Sequence, residues 1–178
     1  ILRCLVGSEM CIRDRPRWLS EGISVYEERE RDTGWGQWMN STYRTWILEG
    51  ELTPVSRLSE AFLRPKSPAH LDFAYYESSL VVEYLIETKD LDSVLKLLDD
   101  LATGLSMKEG LTRYWGDPEF IDEDFERYAK EKAEKYGSDW DWQPLPEQAQ
   151  DLSLLDLEKL AGQQANSVSL QFSLAAAL

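Results

Sequence analysis

Apolar positions along this chain recur at three- and four-residue intervals, the periodicity of helices that bury one face. Over 16–31, Trp18, Leu19, Gly22, Ile23, Val25 and Tyr26 fill one broad arc, with Glu21 at its border. Pro16 suits the first turn of that helix, where its missing N–H would be unpaired anyway. The run Asp32-Thr-Gly-Trp-Gly36 is a turn cluster that ends it. Residues 40–49 read as a short helix capped by Asn40 or Ser41 and closed by Gly50. Residues 51–72 hold three prolines and little periodicity, which predicts a long loop with one helical turn over 56–63.

Helical spacing returns over 73–88. Phe73, Tyr76, Leu80 and Tyr84 form the stripe, Val81, Leu85 and Ile86 widen it, and Ser78 and Ser79 are small enough for a neighbouring helix to approach. The cleanest amphipathic pattern covers 91–105, with Leu91, Val94, Leu95, Leu98, Leu101, Ala102 and Leu105 inward and Asp92, Lys96 and Asp99 outward. Ser106-Met-Lys-Glu109 is a capping box for a helix that carries Leu111, Tyr114 and Trp115 and stops at Gly116. Asp117-Pro118 supplies the next N-cap and first-turn proline. That helix should run to about Tyr136, with Phe120, Phe125 and Tyr128 inward and Gly137 as its stop. Residues 138–150 read as a linker tethered by Trp140 or Trp142, and 151–178 as two short helices over 152–161 and 167–178. The pattern therefore predicts an all-α fold with a helical domain over 16–137.

Length and composition narrow the function classes. A chain of 178 residues can bury one real core. Its 19 basic and 33 acidic residues give a formal charge of −14, which disfavours nucleic-acid binding and adhesion to an anionic membrane. No apolar run approaches the roughly 18 residues of a spanning helix. Cys4 and Cys11 match no zinc spacing. Residues 1–15 fit poorly with the helical pattern that begins at Pro16; Cys4-Leu-Val-Gly-Ser-Glu-Met-Cys-Ile-Arg-Asp14 is similar to the translated sequencing-adapter read-through at the ends of some metagenomic reading frames.

Three features carry candidate chemistry. A partly desolvated Glu21 calls for a cation, a hydrogen-bond network or a metal, unless it simply reaches water. The close series Trp35, Trp38, Tyr43 and Trp46 either lines a sugar cleft or belongs to the core. His70, the single histidine, lies in the predicted loop and reads as a solvent or hydrogen-bonding residue.

The order Trp18-Leu-Ser-Glu-Gly22, followed by Tyr26 and Glu28, resembles the third-ligand helix of gluzincin zinc metallopeptidases, and most closely the peptidase MA-like and aminopeptidase N-like families. Tyr76-Glu-Ser-Ser-Leu-Val-Val-Glu-Tyr-Leu-Ile86 resembles the tyrosine helix of the same families. The resemblance spans roughly 16–115 and implies the helical half of such a domain. It implies Glu21 as a zinc ligand and Tyr76, with Tyr75 as neighbouring fallback, as the hydroxyl that steadies a tetrahedral oxyanion. Peptides or proteins would be the substrates. In those families a His-Glu-x-x-His helix supplies the other two ligands and the general base, and this sequence contains none. Family spacing puts that motif at or just before Ile1, so the resemblance implies a C-terminal fragment, inactive as it stands. Such domains are sometimes followed by tetratricopeptide-type helical pairs, and 151–178 is similar to the opening of one. Two other readings compete: an all-helical interaction domain without catalytic ancestry, and a carbohydrate-active protein, suggested by seven tryptophans among many carboxylates.

Overall fold

The computed structural model describes residues 16–145 and 152–178, so the expectations for residues 1–15 lie outside the described part. The chain divides into two units after Tyr136. The first contains α1 (Arg17–Arg31), α2 (Ser41–Leu48), a 3-10 turn (Val55–Arg57), α3 (Ser59–Leu63), α4 (Pro68–Thr88), α5 (Leu91–Ala102), α6 (Met107–Trp115) and α7 (Pro118–Lys135). The second contains α8 (Leu154–Gln163) and α9 (Val168–Ala177). Among the described residues the fold is all-α, with a single parallel bridge between Asp141 and Ser167. No helix among them is long and apolar enough to cross a membrane.

The axis of the first unit is α4. It starts a turn earlier than the proline-rich sequence suggests, because Pro68 opens the helix rather than interrupting a loop. The Ser67 side chain caps it by accepting the His70 backbone N–H. From Tyr76 to Val82 every α4 side chain is buried, so this segment is enclosed on all sides.

The closest enclosure comes from α1. A Cβ built on Gly22 would stand 2.5 Å from the Ser78 carbonyl oxygen, so only glycine permits this helix crossing. The small residues expected on α4 occupy that contact: Ser78 and Ser79 are both buried. Ser79 turns its hydroxyl back onto the Tyr76 carbonyl at 2.7 Å, while the Ser78 hydroxyl has no hydrogen-bond partner among the described residues. On either side of the crossing, Trp18, Leu19 and Ile23 seal the core.

Polar ties fix the remaining helices. The Trp115 indole N–H donates to the Leu85 carbonyl at 3.1 Å, and the Tyr84 hydroxyl donates to Asp124 at 2.9 Å. Asp122 accepts from the Ser56 N–H and hydroxyl at 3.0 and 2.6 Å, which pins the 3-10 turn to α7. Buried Arg29 reaches Glu83 at 2.6 Å, and Lys132 reaches Glu83 at 2.5 Å and Glu87 at 3.1 Å. Burial alone would raise the Glu83 pKa, but Lys132 and Arg29 outweigh it and hold the carboxyl below its ordinary value.

One further expected boundary shifts, and three residues expected in the core, Leu91, Ala102 and Phe120, are exposed. α5 stops at Ala102, which is exposed, because Gly104 at φ 95° turns the chain toward the Ser106–Glu109 capping box. On α7 the buried stripe is Ile121, Phe125, Ala129 and Ala133, spaced by four. Phe120 precedes that stripe by one position and is 58 % exposed. In the second unit Leu157 and Ala161 of α8 pack with Leu170 of α9, and Trp140 and Trp142 lie 5.7 Å apart beside Gly137.

The crossing supplies a direct stability prediction. In an open helix Gly→Ala gains up to about 1 kcal/mol. At Gly22 the clash with backbone should reverse the sign, so Gly22→Ala should destabilise by about 1–3 kcal/mol. A lower urea midpoint with an unchanged m-value is the expected result, and an unchanged or higher midpoint would show that the helices separate freely.

Candidate active site

Arg17 and Glu21 lie one turn apart on the outer border of α1, and the Arg17 Nε donates to Glu21 Oε1 at 3.3 Å. The same guanidinium donates to the Tyr75 hydroxyl at 2.9 Å and sits 5.4 Å over the Phe62 ring. Phe62 meets Tyr75 edge-on at 5.1 Å. One cation thus joins α1, α3 and α4, and beside it stands a carboxylate with 35 % of its side chain still exposed. An exposed i,i+4 pair adds little stability in itself. Its effect is to fix where the Glu21 oxygens lie.

The two adjacent tyrosines diverge because consecutive helical residues point about 100° apart. Tyr75 faces Arg17. Tyr76 is 2 % exposed, stacks on Tyr43 at 5.0 Å and directs its hydroxyl to the Met39 sulfur at 3.6 Å. Burial raises the Tyr76 pKa well above the ordinary phenol value. It is therefore Tyr75 whose hydroxyl the structure links to Glu21 through Arg17; the Tyr76 hydroxyl points into the core.

His70 is stacked on Trp46 at 4.4 Å, and its Nδ1 lies 2.8 Å from the Ser67 hydroxyl. The aromatic series divides. Tyr43 and Trp46 pack against Phe73 as core, whereas Trp35 and Trp38 are about half exposed at the surface. Trp38 lies under the Arg29 guanidinium at 5.3 Å, so its ring serves the α1–α4 ion network.

The sequence reading missed Glu77. This carboxylate is 1 % exposed, and one of its oxygens accepts the Thr53 backbone N–H. Burial pushes its pKa up to about 8, with the Thr53 hydrogen bond pulling only partly the other way. Glu77 lines a cavity of about 540 Å³ with Thr53, Arg64, Lys66, His70 and Phe73. A signal was present: Glu77 falls four residues after Phe73 and three before Leu80, inside the predicted buried arc.

Among the described residues no group of three or more His, Cys, Asp or Glu side chains is arranged to hold a metal ion. Glu21 offers one carboxylate, already engaged by Arg17, and among the described residues none beside it completes a metal centre. A family model described as Peptidase MA superfamily matches residues 3–131. No curated protein and no solved structure matches the chain.

Glu77 makes stability depend on pH in a stated direction. The unfolded carboxyl loses its proton near the ordinary value of 4.5, the folded one near 8. Between those values the native state holds the extra proton, so stability falls as pH rises. The contribution is fully present below about pH 4.5 and lost through about pH 8. Glu83, held low, acts oppositely, its contribution being lost as pH falls below the ordinary glutamate range. Glu77→Gln should therefore gain on the parent protein as pH rises from 5 to 9, by on the order of a few kcal/mol. Urea midpoints measured across that range test this, and parallel curves would refute it.

Proposed function

The chain belongs to the Peptidase MA superfamily, and on that premise we propose that it carries the helical half of a zinc-dependent, aminopeptidase N-like metallopeptidase. The observation that supports this reading is the placement of Glu21. It is the acid of a Trp-Leu-x-Glu-Gly helix, it borders solvent, and Arg17 ties it to a tyrosine hydroxyl on the helix that α1 crosses. In the intact site, zinc held by Glu21 and two histidines would lower the pKa of its bound water. Those histidines and the general base belong to a His-Glu-x-x-His motif that these 178 residues do not contain. The chain as it stands is therefore a weak zinc binder and an inactive hydrolase.

The roles within this chain follow from its contacts. Glu21 is the metal-ligand carboxylate, and Arg17 positions it together with Tyr75. Tyr75 takes the hydroxyl role that the motif assigns to Tyr76, because its side chain stands beside Glu21's partner. Tyr76 supports it from the core through Tyr43 and Met39. A second reading, a non-catalytic helical interaction domain, draws on one observation: Arg17 already satisfies the Glu21 carboxylate.

Two measurements test the proposal. Zinc titration of this chain should show no tight site, and stoichiometric submicromolar binding would overturn the ligand account. Recovery of the upstream gene should reveal His-Glu-x-x-His reading into Pro16; its absence would favour the non-catalytic reading. In that longer protein Glu21→Gln should strip the zinc. Tyr75→Phe should lower kcat by about 10²–10³-fold at unchanged KM. A loss confined to Tyr76→Phe would return the role to Tyr76.

A further inference from the structure

The cavity over Glu77 lies on the α4 face that carries His70, Phe73 and Glu77, and is closed by the loop around Thr53 and by α3 and the chain after it. At about 540 Å³ it has the size of a small-ligand site, typically about 300–1,000 Å³. Its charges are mostly spoken for. Lys66 pairs with Glu51, and Arg57 pairs with Glu60 at 2.7 Å. Arg64 is exposed at the rim and has no carboxylate within ion-pair distance among the described residues. On the floor, the Glu77 carboxyl accepts the Thr53 N–H and also meets the Thr53 side chain.

Glu51 and Glu60 also line the cavity, but both are paired, which leaves Arg64 as the unpaired charge at the rim among the described residues. An anionic ligand meets Arg64, whose planar guanidinium suits a carboxylate. The floor is compatible with it because a buried carboxyl with its pKa raised to about 8 is mostly protonated at neutral pH, and so donates a hydrogen bond. Phe73 and Leu63 supply apolar wall between these two polar points.

We propose that this cavity binds a carboxylate-bearing segment of a peptide, with Arg64 taking the carboxylate at the rim and the Glu77 carboxyl donating to a peptide carbonyl oxygen at the floor. The choice of a peptide rests on the metallopeptidase reading; the carboxylate preference rests on the cavity alone. The ligand carboxylate is either a free C-terminus or an acidic side chain.

The test is an amide-resolved NMR titration of the metal-free chain with three peptides. These are N-acetyl-Ala-Leu with a free C-terminus, the same peptide amidated, and N-acetyl-Glu-Leu amidated. The first or the third should shift the Thr53, Arg64 and His70 signals, and which one does so identifies the carboxylate source; the second should not. Arg64→Ala, at an exposed position, should weaken binding about tenfold or more without moving the melting temperature, a charge-assisted hydrogen bond being about 1.5–3 kcal/mol. Glu77→Gln keeps a neutral donor and should retain binding within about threefold, less than one hydrogen bond is worth. Equal binding of the plain amidated peptide, binding of hexylamine in its place, indifference to Arg64→Ala, loss in Glu77→Gln, or no shift with any peptide would each overturn the proposal. No metal or turnover enters the assay, so a failed titration leaves the zinc reading standing. A missing His-Glu-x-x-His motif likewise leaves the cavity result standing.

Discussion

The placement of Glu21 beside Tyr75 depends on how closely α1 can lie against α4. Gly22 sets that distance, since a methyl group there would stand 2.5 Å from the Ser78 carbonyl oxygen. With the backbones in contact, the border of α1 one residue before Gly22 falls beside the α4 position three before Ser78. Arg17 can then touch both Glu21 and the Tyr75 hydroxyl. The crossing has a cost, because the Ser78 hydroxyl is buried there without a partner among the described residues. An orphaned hydroxyl costs about 1–3 kcal/mol. Dispersion and burial along Trp18, Leu19, Ile23, Leu80 and Val82 offset it.

The same helix α4 treats two of its acids in opposite ways. Glu83 receives Arg29 from α1 and Lys132 from α7, and so stays ionised while linking three helices. Among the described residues Glu77 receives no cation, only the backbone N–H and the side chain of Thr53. Stability alone would favour an apolar residue at that position, since an unpaired buried carboxyl is costly unless it keeps its proton. A paired acid explains itself through the contacts that it holds together. An unpaired acid facing a cavity does not, and that contrast directs attention to Glu77 rather than to the larger ion network.

Much of this architecture was legible locally. Asn40, Ser106 with Glu109, and Asp117 cap the helices that their positions suggested, because a side-chain cap depends only on residues within one turn. What was not legible locally depended on phase or on distant partners. The proline at position 68 looks the same in sequence whether it ends a loop or opens a helix, and only the next turn decides. Phe120 is as apolar as Ile121, and the four-residue stripe to Phe125 and Ala129 selects the latter. Tyr75 and Tyr76 differ by one position in sequence and by a whole face in space. The motif points to Tyr76, but the direction of each hydroxyl is set by Met39 and Arg17, which lie 37 and 58 residues away in sequence. The link from Thr53 to Glu77 has the same long-range origin.

Trp18-Leu-Ser-Glu-Gly22 therefore combines two kinds of constraint that the sequence alone presents as one. Trp18, Leu19 and Gly22 are required by packing: two are core side chains and the third is the only residue the crossing admits. That packing requirement holds whether or not the fold is catalytic. Glu21 is different. It is partly exposed, its ion pair adds little stability, and no packing argument demands a carboxylate there. Four of the five residues can persist for structural reasons or by indifference, so the match of the whole motif speaks first for the fold. On the metallopeptidase reading proposed above, the functional content rests on the one residue that the fold does not need.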